Sequence, residues 1–558
     1  MPLSKRDREF RLPKISYLDF KHLEMDRVLT AFFARLAHNG FPSRLLRKTP
    51  LTVEDFAAEF LDHPEWFTGF QDHREILERW VETHLLDVVN RGKSNQAVAA
   101  PRPLHGFTYR FRNPKHSRDY GAAQHLYEML YGARNRAGQN ALDHLKDFFF
   151  PGQDKVIKQS DTAVLDVETQ ALLRLLDQVS DAPDNKTDRE SYPPLCVGSA
   201  DLLAEDIQRL LFYQNFIPRS VMVDYLKVLI AFHLGLYHLR LMKLLPMLVK
   251  RHGADPICAP NSCPMNPKSA DDPHGDCPYR IGLLVDVANR PDTPMAILAE
   301  RSADTHYRRM PTFICAYFAT RKLDEFAKDL VRRGKLTKPT SGEFTVGEVL
   351  QLLEPPYKEE RRIFFGQRIS SLVEDTSGDA EIDPEIKAVT EMGLPECDTY
   401  IEMLIALRGA FHKRYLTDSI DSLLLKNRPG ALVTQGRTKN ASRRFILDSR
   451  LLEVLLQIAV LKPGGARGYH TAEMRIDDLL LFLRERYGLF VDKLPRGDGF
   501  NSTSIDDRRA LRENYGAFIA RLREVGFYRD LSDAHVTQTI TPRYQIAAEI
   551  EATSIGEQ

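Results

Sequence analysis

VMVDYLKVLIAFHLGLYHLRLMKLLPMLV, residues Val221–Val249, is the most apolar run of the chain. Several ionisable residues interrupt it, among them Asp224, Lys227 and Arg240. It therefore contains no segment of about 20 uncharged residues, which a membrane span requires. The run predicts a buried core helix and no membrane partner.

A cysteine-rich loop follows this helix: Cys258-Ala-Pro-Asn-Ser-Cys-Pro-Met-Asn-Pro-Lys-Ser-Ala-Asp-Asp-Pro-His-Gly-Asp-Cys-Pro278. The loop holds three of the six cysteines, one histidine and five prolines. Proline has no backbone N–H to donate, so this loop does not form a regular ladder of hydrogen bonds. Some other interaction must order the loop, and a metal ion is the candidate.

The predicted metal ligands are Cys258, Cys263, His274 and Cys277. Thiolates and an imidazole suit tetrahedral Zn²⁺, and four protein ligands make a closed, structural site. One alternative is an iron–sulfur cluster in which Cys315 is the fourth ligand. The other alternative is a surface loop whose cysteines bind no metal.

Length and composition are typical of a large globular protein. The chain has 558 residues, which predicts three or four domains of roughly 150 residues each. Its 77 basic and 77 acidic residues balance, so the partners that it binds depend on local patches of charge. The charged N-terminus shows no secretory signal, and six cysteines in this length fit the reducing cytoplasm.

Helical patterns separated by polar stretches predict a mainly α, multi-domain protein. The predicted regions are an N-terminal helical domain (1–180), a central helical domain with the Cys-rich loop (195–335), a helical connector (340–425) and a C-terminal region (426–550).

The C-terminal region has the clearest architecture. Helices are predicted over Asp448–Leu461, Met474–Tyr487 and from Ser504 to Gly526, and two strand-like runs follow. Three helices followed by a β-hairpin resemble a winged-helix domain over roughly Asp448–Ile546. The connection Gly488–Ser504 departs from the pattern, because it is too long for a helix-turn-helix.

Basic residues concentrate in and beside this region. Between Lys426 and Arg450 lie seven basic residues and one acidic residue, Asp448. A basic loop beside a winged helix is typical of proteins that contact phosphates. The predicted DNA-binding residues are Arg437, Lys439, Arg443, Arg444, Arg508, Arg509, Arg512 and Arg529. Asp506, Asp507 and Glu513 oppose this role, and for any single arginine a solvated surface is the simpler interpretation.

Two other functions stay open. Arg301 and His306 have the Arg-x4-His spacing of all-helical HEPN ribonucleases, in which His acts as the base and Arg stabilises phosphorane charge. A winged helix also serves as a pure protein-docking module. The chain contains no phosphate-binding Gly-rich loop, Gly-x-Ser-x-Gly or His-Glu-x-x-His motif.

The layout as a whole resembles the large accessory proteins of bacterial multi-gene anti-phage systems, such as methylation-associated defence systems. The shared features are the helical body, the central Cys loop and the C-terminal winged helix. This resemblance implies a cytoplasmic protein that works with a methyltransferase, an ATPase or a nuclease. The expected function is a non-catalytic, DNA-binding and scaffolding subunit with a structural metal site.

Overall fold

Helices build most of the molecule. The computed structural model describes residues 3–44, 52–151, 167–175, 182–183, 189–254, 258, 263, 277–377, 384–438, 441–465, 468–500, 502–528 and 538–548. Within these residues the strands are only two to five residues long and form two-stranded sheets. The prediction of a mainly α protein is confirmed.

Short helices make up the N-terminal region. Its helices are α1 (Lys5–Arg8), α2 (Met25–Ala37), α3 (Val53–Asp62), α4 (Arg74–Trp80), α5 (Ala122–Tyr131), α6 (Ala137–Phe149) and α7 (Val167–Leu175). A π-helical turn (Val81–Leu85) and a 3-10 helix (Gly106–Phe111) accompany them. Its strands are β1 (Ser43–Arg44), β2 (Leu86–Val89), β3 (Ala97–Pro101) and β4 (Ala182–Pro183), paired antiparallel as β1–β4 and β2–β3.

The longest helix is the core of the central region. This region contains α8 (Val197–Leu211), α9 (Arg219–Lys250), β5 (Leu283–Leu284), α10 (Pro294–Tyr307) and α11 (Met310–Arg332). Because α9 has 32 residues, it extends about 48 Å. Within the described residues it is the one helix long and apolar enough to cross a membrane, and 94% of its apolar window is buried inside the protein. The prediction of a buried core helix is confirmed.

The connector packs against this core. It consists of α12 (Val346–Gln351), a 3-10 turn (Pro355–Tyr357), α13 (Lys358–Ser377), α14 (Pro384–Glu391) and α15 (Glu396–Leu423). The long helix α15 contacts α9, α11, α13 and α14. Gly235 of α9 allows the end of α15 to approach, because a Cβ at this position would lie 2.6 Å from Cδ2 of Leu424. A larger residue at position 235 would require the Leu424 side chain to shift.

The C-terminal region alternates short strands with helices. Its elements are β6 (Val433–Gln435), β7 (Arg443–Phe445), α16 (Ser449–Val460), β8 (Leu461–Pro463), β9 (Tyr469–Thr471), β10 (Met474–Arg475), α17 (Ile476–Phe482), a π-helical turn (Leu483–Tyr487), β11 (Leu489–Phe490), α18 (Ile505–Glu524) and β12 (Thr539–Ile540). The pairs β6–β7, β8–β9 and β10–β12 are antiparallel. Tyr528 also forms an antiparallel bridge to Ile540. The three predicted helices are present, at slightly different boundaries.

The long connection after α17 joins the C-terminal region to the central region. In it, β11 pairs in parallel with β5, with Leu489 opposite Leu283. Further along, the carboxylate of Asp498 accepts hydrogen bonds from Lys243 at 3.3 Å and from the backbone N–H of Gly282 at 2.9 Å. The long connection thus contacts the central region at two places.

A cluster of buried charged side chains also connects the central region to the C-terminal region. Asp206 of α8 accepts hydrogen bonds from Arg486 and from the hydroxyl of Tyr487 at 2.7 Å. Its Oδ2 also lies 2.9 Å from Nε2 of His233. All four side chains are buried. Among the described residues, apolar side chains from all four predicted regions also belong to one contiguous core. The chain segments therefore pack as one body.

Candidate nucleic-acid interface and cysteine site

The helix α18 presents three of the predicted DNA-binding arginines to solvent. Its start is defined by a capping box, in which the Ser504 hydroxyl accepts from the Asp507 N–H at 3.0 Å and the Asp507 carboxylate accepts from the Ser504 N–H at 2.8 Å. Arg508, Arg509 and Arg512 then point away from the core. All three are exposed on α18, and their role in DNA binding stays a prediction.

The opposite face of α18 is anchored by a residue that the sequence analysis missed. The buried amide of Asn514 donates to the carbonyl oxygens of Val285 at 2.9 Å and Val491 at 2.8 Å. Its oxygen accepts from the N–H of Val287 at 2.9 Å. The available signal was a polar residue three positions after Leu511 in an otherwise apolar stripe. Asn514 fixes how α18 is held against β5 and β11.

Charge on the exposed face of α18 is mixed. Arg509 forms an ion pair with Glu513 at 3.3 Å, with both side chains exposed. Asp506 is also exposed at the start of the helix. Exposed pairs of this kind contribute little to stability and leave the arginine accessible. The surface therefore offers phosphate-binding groups together with charges that repel phosphate.

Two predicted DNA-binding residues form ion pairs inside the protein. Arg444 lies 3.2 Å from the fully buried carboxylate of Asp286 and donates to the Asn289 side chain at 2.7 Å. Arg443 donates twice to the buried carboxylate of Asp421, both at 2.8 Å. A phosphate would have to compete with these internal carboxylates. These contacts favour a structural role for both arginines over the predicted contact with DNA.

The remaining predicted contacts lie elsewhere. Arg437 is exposed in the turn after β6. Lys439 and Arg529 lie outside the described residues, so their predicted roles stay predictions.

The HEPN-like pair is separated by the geometry of α10. Residues five apart on a helix differ by about 140° around its axis, so they do not share a face. Arg301 is exposed and lies over the ring of Phe500, 5.0 Å from its centroid. His306 is buried, its Nδ1 donates to the Ser302 carbonyl oxygen at 2.9 Å, and burial lowers its pKa to about 4. This arrangement does not present both groups to one substrate.

Three of the four predicted metal ligands lie within the described residues. Cys263 is buried, Cys258 and Cys277 are half-buried, and His274 lies outside the described part. Burial raises the pKa of the Cys277 thiol. Arg240 acts against this shift, whereas the charges of Cys196 and Cys263 add to it. Among the residues that the structure describes, no three His, Cys, Asp or Glu side chains are grouped as they would be around a metal ion.

The alternative ligand Cys315 has different neighbours. Burial, with smaller contributions from the carboxylates of Glu402 and Asp398, raises the pKa of its thiol to about 11. Both carboxylates belong to α15, which packs along α11. Cys315 therefore faces α15.

These features define a large, mainly helical protein whose C-terminal region holds a partly basic helix at the surface. A family model described as "Methylation-associated defense system protein MAD7" matches residues 5–544. The chain therefore belongs to this family, and the predicted resemblance to methylation-associated defence components is confirmed. No curated protein and no solved structure matches the chain.

Proposed function

We propose that this component of a methylation-associated defence system is a non-catalytic, DNA-binding and scaffolding subunit in the cytoplasm. Residues 449–546 would form a winged-helix domain, and α18 would be its DNA-facing helix. Membership of the family supports the role in a multi-protein defence system. The C-terminal region supports the DNA-binding role.

The observation that carries the proposal is the order and pairing of the C-terminal elements. Apart from β11, which pairs with β5, the order α16, β10, α17, α18, Tyr528, β12 resembles that of a winged helix. In support, β12 pairs antiparallel with β10 and bridges Tyr528. The tip of the predicted wing, between Tyr528 and β12, falls outside the described residues. The hairpin β8–β9 is an addition to the standard order.

Phosphate contacts would come from one exposed stripe of α18. Arg508 and Arg512 are four residues apart, so both lie on the same side of the helix. Arg437 is a third exposed candidate. Each phosphate contact contributes about −0.9 to the slope of log affinity against log salt, so three contacts give about −2.7. A fourfold rise in salt would then weaken binding about 40-fold.

The test is duplex DNA binding by fluorescence anisotropy across a salt series. The double variant Arg508→Glu/Arg512→Glu should weaken binding at low salt and reduce the slope by about 2. The matched control is Arg332→Glu/Arg362→Glu, which makes the same charge change at two exposed arginines on α11 and α13. If the wild type does not bind at low salt, or both double variants lose affinity equally, the proposal fails.

A protein-docking role is the second candidate, and one exposed residue favours it. Ile505, the first residue of α18, is 84% exposed beside the acidic Asp506. An exposed isoleucine at a helix start suits an apolar contact better than a phosphate contact. Ile505→Ser would then abolish co-purification with another component of the same system, and DNA binding would be absent.

The proposal also includes a structural zinc ion in the loop Cys258–Cys277. The three described cysteines of this loop are half-buried or buried, as ligands of a closed site would be. Such a site contributes to folding and leaves no position for a substrate.

A further inference from the structure

We infer that the exposed middle of α15, together with Lys21 and the cavity beside it, binds single-stranded DNA. The residues of this surface, termed the α15 surface below, are Lys21, Arg408, Phe411, Lys413, Arg414 and Tyr415. It does not include α18, and it would hold a strand by its phosphates and by the faces of its bases. Only the choice of DNA over RNA rests on the proposed function, in which α18 binds a DNA duplex.

The middle of α15 is basic. Between Glu402 and Asp418 the sequence contains no Asp or Glu, and its lysines and arginines are Arg408, Lys413 and Arg414. Lys413 and Arg414 are exposed. A run of cations without carboxylates between them is complementary to a phosphate backbone.

Two aromatic rings stand among these charges, and a cation lies over each of them. Phe411 and Tyr415 are four residues apart on one side of the helix, with their ring centroids 4.6 Å apart. The guanidinium of Arg408 lies 4.0 Å from the centroid of Phe411, and Nζ of Lys21 lies 3.9 Å from that of Tyr415. Phe411 is nevertheless 39% exposed. Exposed rings and guanidinium planes are the groups on which unpaired bases stack.

This combination of groups fits a single strand better than a duplex or a peptide. In a duplex the bases stack on one another and present only their edges in the grooves, so the ring of Phe411 would meet no base face. A peptide would need acidic and apolar side chains in one matching order. Every nucleotide of a single strand, in contrast, carries both a phosphate and a base face.

A cavity continues the basic surface beyond Lys21. Its volume is about 830 Å³, and sites for small ligands have about 300 to 1,000 Å³. Besides Lys21, the basic residues of its lining are Arg35, Arg112 and Arg118. Arg118 is exposed. Because Lys21 belongs both to the cavity and to the α15 surface, a strand that crosses α15 would continue into a basic cavity.

The cavity lining also holds two carboxylates, Asp19 and Asp119, and other groups of the protein contact both. Oδ1 of Asp19 lies 3.7 Å from Nε of Arg11. Oδ2 of Asp119 accepts from the N–H of Ala123, at the start of α5, at 3.0 Å. Four basic residues against two acidic ones leave the lining with a net positive charge.

Fluorescence anisotropy with a labelled oligo(dT) of about 15 nucleotides tests the inference on the full-length protein. The wild type should bind at low salt. Phe411→Leu keeps an apolar side chain and removes the ring, so it should weaken binding about 5- to 150-fold. The matched control is Phe216→Leu, which removes an equally exposed ring (40% against 39%) between α8 and α9 and should leave the affinity unchanged.

Charge variants separate this surface from α18. Lys413→Glu/Arg414→Glu should reduce the slope of log affinity against log salt by about 1.4, because each phosphate contact of a single strand contributes about −0.7. Arg508→Glu/Arg512→Glu should keep its affinity for oligo(dT). Loss of duplex binding with oligo(dT) binding retained would contradict only the proposed role of α18. The reverse result would contradict only the α15 surface.

Photocrosslinking gives a test that needs no variant. An oligonucleotide with bromodeoxyuridine in place of thymidine should attach to the wild type at the peptide that contains Phe411 and Tyr415. The inference is wrong if the wild type does not bind oligo(dT) at low salt, if crosslinks form only elsewhere, or if Phe411→Leu and Phe216→Leu bind equally. Binding of oligo(U) in place of oligo(dT) overturns the choice of DNA.

Discussion

Residue type alone does not decide what an arginine does in this protein. Arg443 and Arg512 both belong to basic patches of the sequence. In the structure, Arg443 binds the buried carboxylate of Asp421, whereas Arg512 is exposed on α18. Burying a charge is costly unless an opposite charge and hydrogen bonds compensate it. The arginines that pair with buried carboxylates are therefore part of the fold, and the exposed ones are the candidates for binding.

The pair Arg444–Asp286 allows a direct test of this distinction. Arg444→Ala leaves the fully buried carboxylate of Asp286 without its cation, so we expect a loss of about 3 to 5 kcal/mol in the free energy of unfolding. Urea denaturation followed by circular dichroism measures this loss. A loss below about 1 kcal/mol would mean that Arg444 is not needed to hold the carboxylate.

Arg443→Ala is the matched control for that prediction. Asp421 keeps two other partners, Lys426 at 2.5 Å and the hydroxyl of Tyr307 at 2.7 Å. The expected loss is therefore smaller, about 1 to 2 kcal/mol. Equal losses for the two variants would contradict the ranking.

At the scale of elements, α18 is held in place by hydrogen bonds as well as by the apolar stripe that its sequence shows. Its apolar stripe includes Leu511, Phe518 and Leu522, and these residues are buried. The orientation of the helix depends on Asn514, which satisfies backbone groups of two other segments. Buried backbone groups are almost always paired, so few other side chains could replace the Asn514 amide at this position.

Asn514→Ala should therefore destabilise the protein strongly. It would leave two carbonyl oxygens and one N–H buried without partners, at about 1 to 3 kcal/mol for each group that water cannot reach. We expect a loss of about 3 kcal/mol or more in the free energy of unfolding. Arg512→Ala, on the exposed face of the same helix, should change it by less than about 0.5 kcal/mol. If the two variants are equally stable, Asn514 does not anchor the helix.

At the scale of the whole molecule, long-range contacts connect regions that the sequence separates. Asp206 and Arg486 are 280 residues apart and form a buried ion pair. The parallel pair β5–β11 makes a second connection. Together with the contiguous core, these contacts favour cooperative unfolding of the body over separate unfolding of its parts.

Tryptophan fluorescence and circular dichroism test this cooperativity. The two tryptophans, Trp66 and Trp80, lie in the N-terminal region, whereas the far-ultraviolet signal reports helices of the whole chain. Urea transitions followed by the two probes should coincide. A fluorescence transition at clearly lower urea would show that the N-terminal region unfolds on its own.

Much of the secondary structure could be predicted from local patterns. Helix periodicity located α9, α16 and α18, and the capping residues Thr52 and Ser504 stand at the starts of α3 and α18. These signals lie within a few residues of the element they specify, so a single sequence contains them. The same is true of the Cys-rich loop, in which the three cysteines and the histidine are close in sequence.

Only the tertiary structure decided which of those residues share a site. Arg444 meets Asp286, and Cys196 meets Arg240, across separations that no local pattern reports. The apolar run Val221–Val249 specified a core helix by itself, because burying so much apolar surface is favourable in almost any arrangement. Which thiols and charges line that helix depended on how distant segments packed against it, since hydrogen bonds and ion pairs require particular partners at short distance.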